Sequence, residues 1–283
     1  MADDGKPPRV SILVPTIGRI EYLSQTCESI EAQTFGDFEV LVLDNASPPE
    51  SRAVLEAWAK RDRRVRVLRV EPRIPMFPNF NRGIEAARGE YLTFCHDDDV
   101  IVPEFVARCV AFLDAHPRVG ITGSNYAHID EHGKLTEVRR PVRRTQVWPG
   151  RRYIRALLRR GRNPLTMQSI FYRRVALGPE GIDPKLSLHW GDFVVLMRIA
   201  ETWDVGLLEE PLVHVRRHAA QASAAHAVSR GMEMRREMLE RYVDELAERH
   251  PADAIFIREL RARIAVAHRT GMLWGWVVAG DDA

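Results

Sequence analysis

Three consecutive aspartates, Asp97, Asp98 and Asp99, directly follow an apolar, strand-like run that ends at Cys95. An unpaired carboxylate beside a buried strand costs several kcal/mol, so a counter-ion is expected there. A divalent cation is the simplest compensation, and a bound cation in turn attracts phosphate. The alternative is a solvated loop whose acids interact with the dipole of the next helix. That alternative accounts for one or two acids more readily than for three.

Polar side chains at two other points of the first half could contact a ligand. Asp44 ends the second apolar run and is either a turn residue beside Asn45 or an acceptor for a nucleobase N–H or a ribose hydroxyl. Asn81 and Arg82 lie where the third predicted helix opens, in a segment that either caps the helix or faces a nucleotide. Neither signal is specific by itself.

The second half holds two more candidates for chemistry. Asp192 begins a predicted helix and is either its N-cap or a general base, after an aromatic, glycine-containing approach at residues 188–191. Arg216, Arg217 and His218 trail the last predicted strand. They form either an exposed basic loop or a lid, in which arginine holds phosphate and histidine completes a metal shell.

Strand and helix patterns alternate through the first 125 residues. Apolar runs predict five strands, and apolar residues three and four apart between them predict four helices. The runs lie at residues 10–14, 38–43, 65–70, 91–95 and 119–122. Such alternation implies parallel pairing with right-handed crossovers, and ligands then bind beyond the carboxyl ends of the strands. We therefore expect Thr16, Asp44 and the three aspartates to gather at one edge of the sheet.

The alternation stops after Asn125. Residues 126–165 are polar, basic and turn-rich, and are interpreted as an insertion or mobile loop with a helix near residues 153–158. Beyond them the pattern predicts strands at 169–172, 205–208 and 212–215, a helix starting near Asp192, and charged helical structure from about Val228. The final apolar segment around Trp274 and Trp276 is interpreted as a packing helix or a dimer face.

Arginines crowd between Arg139 and Arg162. Arginine is the side chain suited to bidentate contacts with phosphate or carboxylate. The simplest interpretation is a solvated, partly flexible surface. Binding of an anionic acceptor, or peripheral contact with membrane phosphates, is the alternative.

Composition sets broad limits on this 283-residue chain. The length suits one large domain or two small ones, and the net charge of +2 by itself argues neither for nor against nucleic acid. Cys27, Cys95 and Cys109 fall in apolar surroundings and are interpreted as small buried hydrophobes in a reducing compartment. No stretch approaches the ~20 apolar residues of a membrane span, and the start lacks a signal pattern. We expect a cytoplasmic protein.

In combination and order, these motifs resemble family-2 glycosyltransferases, which have the nucleotide-sugar-binding GT-A fold. The resemblance is strong over residues 9–125 and moderate over 165–223. Asp192, ahead of Leu196 and Ala200, resembles the position where the family keeps its base. The other matching segments are residues 10–16 for the first strand, 22–35 for the first helix, 38–47 for the second strand and base-binding turn, and 81–91 for the helix and strand before the metal motif.

The resemblance implies an α/β fold, with a GT-A type, Rossmann-like and mostly parallel sheet flanked by helices and a helical C-terminal extension. Residues 1–225 would form the transferase domain, with a nucleotide-sugar-binding half at 1–125 and an acceptor half at 126–225. Residues 226–283 would form the extension. The implied function is metal-dependent inverting transfer of one sugar from a nucleoside-diphosphate sugar, with UDP as the first choice, to an unidentified acceptor hydroxyl.

The resemblance also implies roles for particular side chains. Asp98 and Asp99, with His218, would hold Mn²⁺ or Mg²⁺ against the diphosphate. Asp192 would deprotonate the acceptor as it attacks in line. The remaining donor contacts fall to Pro15, Thr16, Ile17, Arg19, Asp44, Asn81, Arg82, His96 and Asp97. No nucleic-acid partner is expected, and a homodimer is left open.

Departures from the family pattern motivate the alternatives. His96 stands at the usual first aspartate of the Asp-x-Asp motif, Gly18 at a usual asparagine and Gly191 at a usual acid. A degenerate relative that binds nucleotide or an interaction partner without catalysis is therefore one alternative. A sugar-phosphate nucleotidyltransferase is another, disfavoured because its Gly-rich loop is missing and lysine is scarce. The Gln-x-x-Arg-Trp signature of processive synthases is absent, which favours single addition.

Overall fold

The computed structural model describes residues 6–160, 163, 165–178, 181–183, 191–218 and 228–269. In these residues one sheet contains the strands β1 (Val10–Thr16), β2 (Phe38–Asp44), β3 (Val65–Val67), β4 (Tyr91–Phe94), β5 (Val100–Ile101), β6 (Val119–Ile129), β7 (Leu135–Arg139), β8 (Gln146–Trp148), β9 (Phe171–Arg173) and β10 (Asp204–Arg216). The helices are α1 (Ile20–Glu31), α2 (Pro49–Arg61), α3 (Met76–Ala86), α4 (Phe105–Ala115), α5 (Gly150–Arg160), α6 (Gly191–Ala200), α7 (Val228–Arg249) and α8 (Ala254–Arg269).

The first half of the sheet is parallel, in the order β3-β2-β1-β4. Its strands are apolar throughout because helices cover both faces. Along β1, Ile12 and Val14 belong to the core shared with α1, α2 and α4, whereas Leu13 belongs to the core shared with α3. The α/β class predicted from the alternating pattern is confirmed.

The second half of the sheet is mixed. β9 lies between β4 and β6 and is antiparallel to both, while β10 runs parallel to β6. β5 and β8 pair antiparallel with β10. β7 is antiparallel to β6 because the short turn at residues 130–134 cannot form a crossover. The expected parallel pairing therefore describes the first half better than the second.

Several elements after Asn125 differ from the sequence-based expectation. β6 does not end near Thr122 but continues to Ile129. The helix expected near residues 153–158 is α5, whereas β7 and β8 lie where a loop was expected. The two strands expected at 205–208 and 212–215 are one strand, β10, with register shifts on either side of Pro211. Proline cannot donate to the strand ladder, so the irregularity falls there without ending the strand.

Two arginines of α5 pair with acids of the helical extension, although other arginines of the basic stretch are exposed, as expected for a solvated surface. Arg151 bonds Asp253 at 2.6 Å, and Arg155 bonds Glu259 of α8 at 2.9 Å. On the inner face of α5, Tyr153 and Leu157 are fully buried in a core that α6, α7 and α8 share. The described part of the helical extension thus packs against the second half of the sheet domain, whereas Trp274 and Trp276 lie outside the described residues.

All three cysteines are buried and free, as expected for small core residues. Within the ranges the structure describes, no helix combines the length and apolarity needed to cross a membrane.

Candidate functional site

The turn at His96 to Asp99 joins β4 to β5 beside the carboxyl end of β1. Thr16, the last residue of β1, donates its hydroxyl to Asp97 Oδ2 at 2.6 Å. The Nη1 of Arg19 lies 2.6 Å from Asp97 Oδ1 and 2.9 Å from Asp98 Oδ2. Thr16 and the aspartates thus lie together at one edge of the sheet, as expected, and Arg19 belongs to the same cluster. Pro15 and Ile17 flank Thr16 and are half-buried.

The end of β10 brings His218 to the same turn. Its Nε2 lies 3.1 Å from Asp98 Oδ2, and its side chain is only 3% exposed. The ring of Tyr22 from α1 packs against it, with 4.8 Å between ring centroids. Asp98 Oδ2 therefore contacts both the guanidinium of Arg19 and the imidazole of His218, which are far apart in the sequence.

Asp99 has one carboxylate oxygen with a partner and one without. Oδ1 accepts the backbone N–H of Arg216 at 2.9 Å. Oδ2 is buried and makes no hydrogen bond, with His96 Nδ1 at 3.8 Å. One ligand atom each from His96, Asp98 and Asp99 lie within 4.8 Å of one another. Buried polar atoms without a partner are rare, so this oxygen is available to a ligand.

The electrostatics of the turn favour a cation. Burial raises the pKa of Asp97, although the Arg19 charge and the Thr16 hydroxyl oppose it. Burial, reinforced by the neighbouring Asp98 charge, raises the pKa of Asp99 well above its usual range. Burial also lowers the pKa of His96, which keeps its imidazole neutral and free to bind metal. His96, Asp98 and Asp99 form a cluster of one imidazole and two carboxylates that could hold a divalent cation.

Arg216 is a fully buried arginine that fixes the backbone of the turn. Its Nε donates to Asp98 O at 2.8 Å, its Nη1 to Asp130 O at 2.9 Å and its Nη2 to Gln25 Oε1 at 2.7 Å. The guanidinium also lies over the Tyr22 ring, 4.8 Å from its centroid. The sequence suggested a loop or phosphate contact for this basic stretch, whereas Arg216 ties the aspartate turn to α1 and to the β6–β7 turn.

Asp44 lies at the end of β2, where each of its carboxylate oxygens has a hydrogen-bond partner. Oδ1 accepts the Ser47 N–H at 2.9 Å, and Oδ2 accepts from Arg69 at 2.6 Å. Burial alone would raise the pKa of Asp44, but the bonds from Ser47 and Arg69 outweigh it and hold that pKa below its usual value. The Ser47 bond is the contact that the turn interpretation predicts, and the predicted nucleotide contact of Asp44 stays a prediction. The sequence does not predict Arg69 as the partner of Asp44, because only its position after β3 sets it apart.

Asn81 and Arg82 bond to the backbone of other segments. Asn81 exchanges two hydrogen bonds with Ile182, at 2.7 and 2.9 Å. Arg82 donates to the carbonyl of Arg69 at 3.0 Å and to the Asn79 side chain at 2.9 Å. In the described part of the chain these side chains bond none of the three aspartates. Their predicted contact with the donor stays a prediction.

The predicted base stands at the first turn of α6, which begins at Gly191, one residue before the expected start. The side chain of Asp192 lies outside the described residues. The assignment of Asp192 as a base therefore stays a prediction.

Known proteins resemble this chain in both sequence and fold. A family model described as "Glycosyl transferase family 2" matches residues 11–177. The GalNAc(5)-diNAcBac-PP-undecaprenol beta-1,3-glucosyltransferase of Campylobacter jejuni is 33% identical over 97 residues, which are 34% of this chain and 31% of that protein. This chain spans less than half the length of the curated relatives compared.

Solved structures that share the fold include the following two. S. aureus TarS 1-349 in complex with UDP-GlcNAc superposes with a TM-score of 0.66 at 19% identity, covering 84% of this chain and 66% of that one. The mannosyltransferase PcManGT from Pyrobaculum calidifontis, in complex with GDP-Man and Mn²⁺, gives 0.57 at 18% identity, covering 94% and 76%. At these identities the similarity shows the fold alone.

Proposed function

Because the chain belongs to glycosyl transferase family 2, we propose that it is a metal-dependent, inverting glycosyltransferase that adds one sugar to an acceptor hydroxyl. The donor is a nucleoside-diphosphate sugar. The observation that carries the proposal is the aspartate turn after β4, where Asp99 Oδ2 is buried without a partner beside His96 and Asp98. Such an oxygen suits a cation that also meets a diphosphate.

Asp98 and Asp99, with His218 and His96 beside them, would hold Mn²⁺ or Mg²⁺. When bound, the cation supplies Lewis-acid neutralisation of the charge that develops on the leaving diphosphate. The complex of PcManGT with GDP-Man and Mn²⁺ supports this class of cofactor.

Arg19 would contact the donor diphosphate from the mouth of the site. Its guanidinium lies against Asp97 and Asp98, and 21% of the side chain is exposed. An arginine in that position is held in place by the carboxylates and still presents N–H donors outward. Thr16 and Asp97 then serve to fix Arg19 at the end of β1.

The nucleoside would lie along the ends of β1 and β2, against Pro15, Thr16, Ile17 and Asp44. Asp44 is ionised and rigid, because Ser47 and Arg69 hold both of its oxygens. Each carboxylate oxygen has a second lone pair that can accept a base N–H or a ribose hydroxyl. UDP is the first choice of donor nucleotide, as the complex of TarS with UDP-GlcNAc supports.

Asp192 would act as general base from the first turn of α6. It would take the proton of the acceptor hydroxyl as the oxygen attacks the anomeric carbon, so one displacement inverts the configuration. A base in this role affects turnover far more than donor binding.

Calorimetric titration of UDP-GlcNAc and GDP-mannose, with Mn²⁺ and with EDTA, tests the donor site. We expect one donor to bind in Mn²⁺ and to lose most affinity in EDTA or in Asp98→Asn. The matched control is Asp244→Asn, since Asp244 is exposed and pairs with Arg261 at 2.7 Å away from the turn. Equal binding in EDTA, or an equal loss in the control, contradicts the metal assignment.

Asp192→Asn tests the catalytic step separately. We expect this variant to bind the donor like the wild type and to lose about 10²–10⁴-fold in transfer rate, the usual contribution of general-base catalysis. NMR of the product reports whether the anomeric configuration is inverted. Near wild-type transfer by the variant would remove Asp192 from the mechanism. Donor binding by the wild type without transfer or donor hydrolysis would support the non-catalytic alternative.

A further inference from the structure

The β6–β7 hairpin exposes two apolar side chains on one face. Leu135 is 54% exposed and Val138 is 41% exposed. Leu135 pairs with Ile129, but His128 pairs with Glu137, so β7 carries one extra residue in a bulge. Without the bulge, strand alternation would place residues 135 and 138 on opposite faces. With it, Leu135 and Val138 lie on the face of Ile129 and Ala127.

Exposed arginines follow the hairpin along the chain. Arg140 comes directly after the end of β7, two residues beyond Val138. Arg143 and Arg144 are exposed beyond Val142, which the Asn125 side chain clamps with bonds of 2.7 and 2.9 Å. The three arginines make no ion pair within the ranges that the structure describes. By contrast, Arg139 on the opposite face pairs with Glu137 at 3.0 Å.

We propose that this hairpin patch, formed by Leu135, Val138, Arg140, Arg143 and Arg144, docks the protein on an anionic lipid surface. Exposed aliphatic side chains beside cations are the composition that binds at a membrane interface. Each arginine held at such a surface strengthens binding roughly fivefold, which corresponds to about 1 kcal/mol.

Charge and composition argue against two other occupants. In a symmetric dimer through this patch, the same arginines would face each other across the interface. A single-stranded nucleic acid is bound through aromatic platforms, and the patch has none. An anionic lipid surface matches both the aliphatic and the cationic members of the hairpin patch.

Arg216 links the hairpin to the candidate site. Arg216 donates to Asp130 O in the β6–β7 turn at 2.9 Å and to Asp98 O in the aspartate turn at 2.8 Å. A protein docked through the hairpin would therefore hold the aspartate turn near the lipid headgroups. Delivery of an acceptor from that surface rests on the proposed transferase function, whereas lipid binding itself does not.

Co-sedimentation with vesicles tests the proposal on the full chain. We expect binding to vesicles of equal parts phosphatidylcholine and phosphatidylglycerol, weaker binding at high salt, and little binding to phosphatidylcholine alone. Combined Arg140→Gln, Arg143→Gln and Arg144→Gln substitutions should weaken partition about a hundredfold, since three roughly fivefold effects multiply. Leu135→Ser with Val138→Ser should weaken it severalfold.

Matched controls lie elsewhere on the surface. Arg118→Gln changes an arginine that is 87% exposed, and Val175→Ser and Ile255→Ser change apolar side chains that are 69% and 77% exposed. These variants should bind vesicles like the wild type. Circular dichroism and thermal melts verify that every variant is folded.

Three results would overturn the docking surface. They are equal binding to neutral and anionic vesicles, equal losses in the control and patch variants, and competition by millimolar inorganic phosphate that matches the effect of the triple substitution. The last result would assign the arginines to a soluble phosphate group instead. Loss of donor binding in Asp98→Asn with intact vesicle binding would separate the donor site from the docking surface.

Discussion

Replacing Asp99 with asparagine should stabilise the protein in EDTA. The substitution removes a charge from a carboxylate whose Oδ2 is buried without a hydrogen-bond partner and whose pKa burial raises well above its usual range. The asparagine oxygen can keep the bond to the Arg216 N–H, and the neutral amide nitrogen that takes the place of Oδ2 costs less to bury than a charge. We take the difference as about 1–3 kcal/mol, the usual cost of one buried polar group without a partner. With roughly 2–4 °C of Tm per kcal/mol in chains approaching this size, we expect a rise of about 2–12 °C.

Added Mn²⁺ should reverse the order of the two proteins. A ligand at a hundredfold excess over its Kd stabilises the folded state by about 2.7 kcal/mol. The wild type should gain this stabilisation, and Asp99→Asn should gain much less because it lacks one ligand oxygen. Thermal melts of both proteins, in EDTA and in Mn²⁺, measure the effect directly.

Asp44→Asn is the matched control. Asp44 is equally buried, but Ser47 and Arg69 satisfy both oxygens and hold its pKa below its usual value. This substitution should lower the Tm in both conditions. A lower Tm for Asp99→Asn in EDTA would refute the prediction, because the uncompensated oxygen would then carry no cost.

Three other predictions follow from buried charges and from backbone geometry. Burial, with the charges of Arg217 and Arg139, lowers the pKa of His128 in the folded state. The stability that depends on this group is therefore complete above the unfolded pKa of about 6.5 and falls at lower pH. In His128→Gln, the free energy of unfolding in urea should change less between pH 7.5 and 5.5 than in the wild type. Arg216→Met should lower the free energy of unfolding in urea by about 3–5 kcal/mol, because buried acceptors in three segments lose their hydrogen-bond donor. It should also reduce the Tm shift that Mn²⁺ induces. A loss under about 1 kcal/mol would contradict this role of Arg216. Gly18→Ala should lower the free energy of unfolding by about 1–3 kcal/mol, since Gly18 has φ +88° and a Cβ there would lie 2.7 Å from Pro48. Gly36→Ala is the control, because a Cβ at Gly36 meets nothing within 4 Å and the same measurement should show no change.

The first half of the fold follows closely from its sequence because its signals are local. Apolar runs flanked by turn residues mark β1, β2 and β4, and the carboxyl ends of parallel strands meet by geometry. Thr16 and Asp97 could therefore be predicted as neighbours although they are 81 residues apart.

The partners in the second half are not local and could not be inferred in the same way. Arg216 bonds Asp98, 118 residues earlier, and Arg155 bonds Glu259, 104 residues later. A run of arginines looks the same in the sequence whether its side chains form ion pairs in the folded protein or remain in solvent. The β7 bulge is equally hidden, because register depends on the paired strand and not on the residues of β7 alone.

The packing of α8 on α5 also has a consequence for synthesis of the chain. The inner face of α5, with Tyr153 and Leu157, is covered by a core to which α7 and α8 contribute Leu239 and Leu260. Ribosomes release these helices roughly a hundred residues after α5, several seconds later at ordinary elongation rates. Until then the middle of the nascent chain carries an uncovered apolar surface next to its arginines. The parallel half, complete by Phe94, can fold first and hold the growing chain in place.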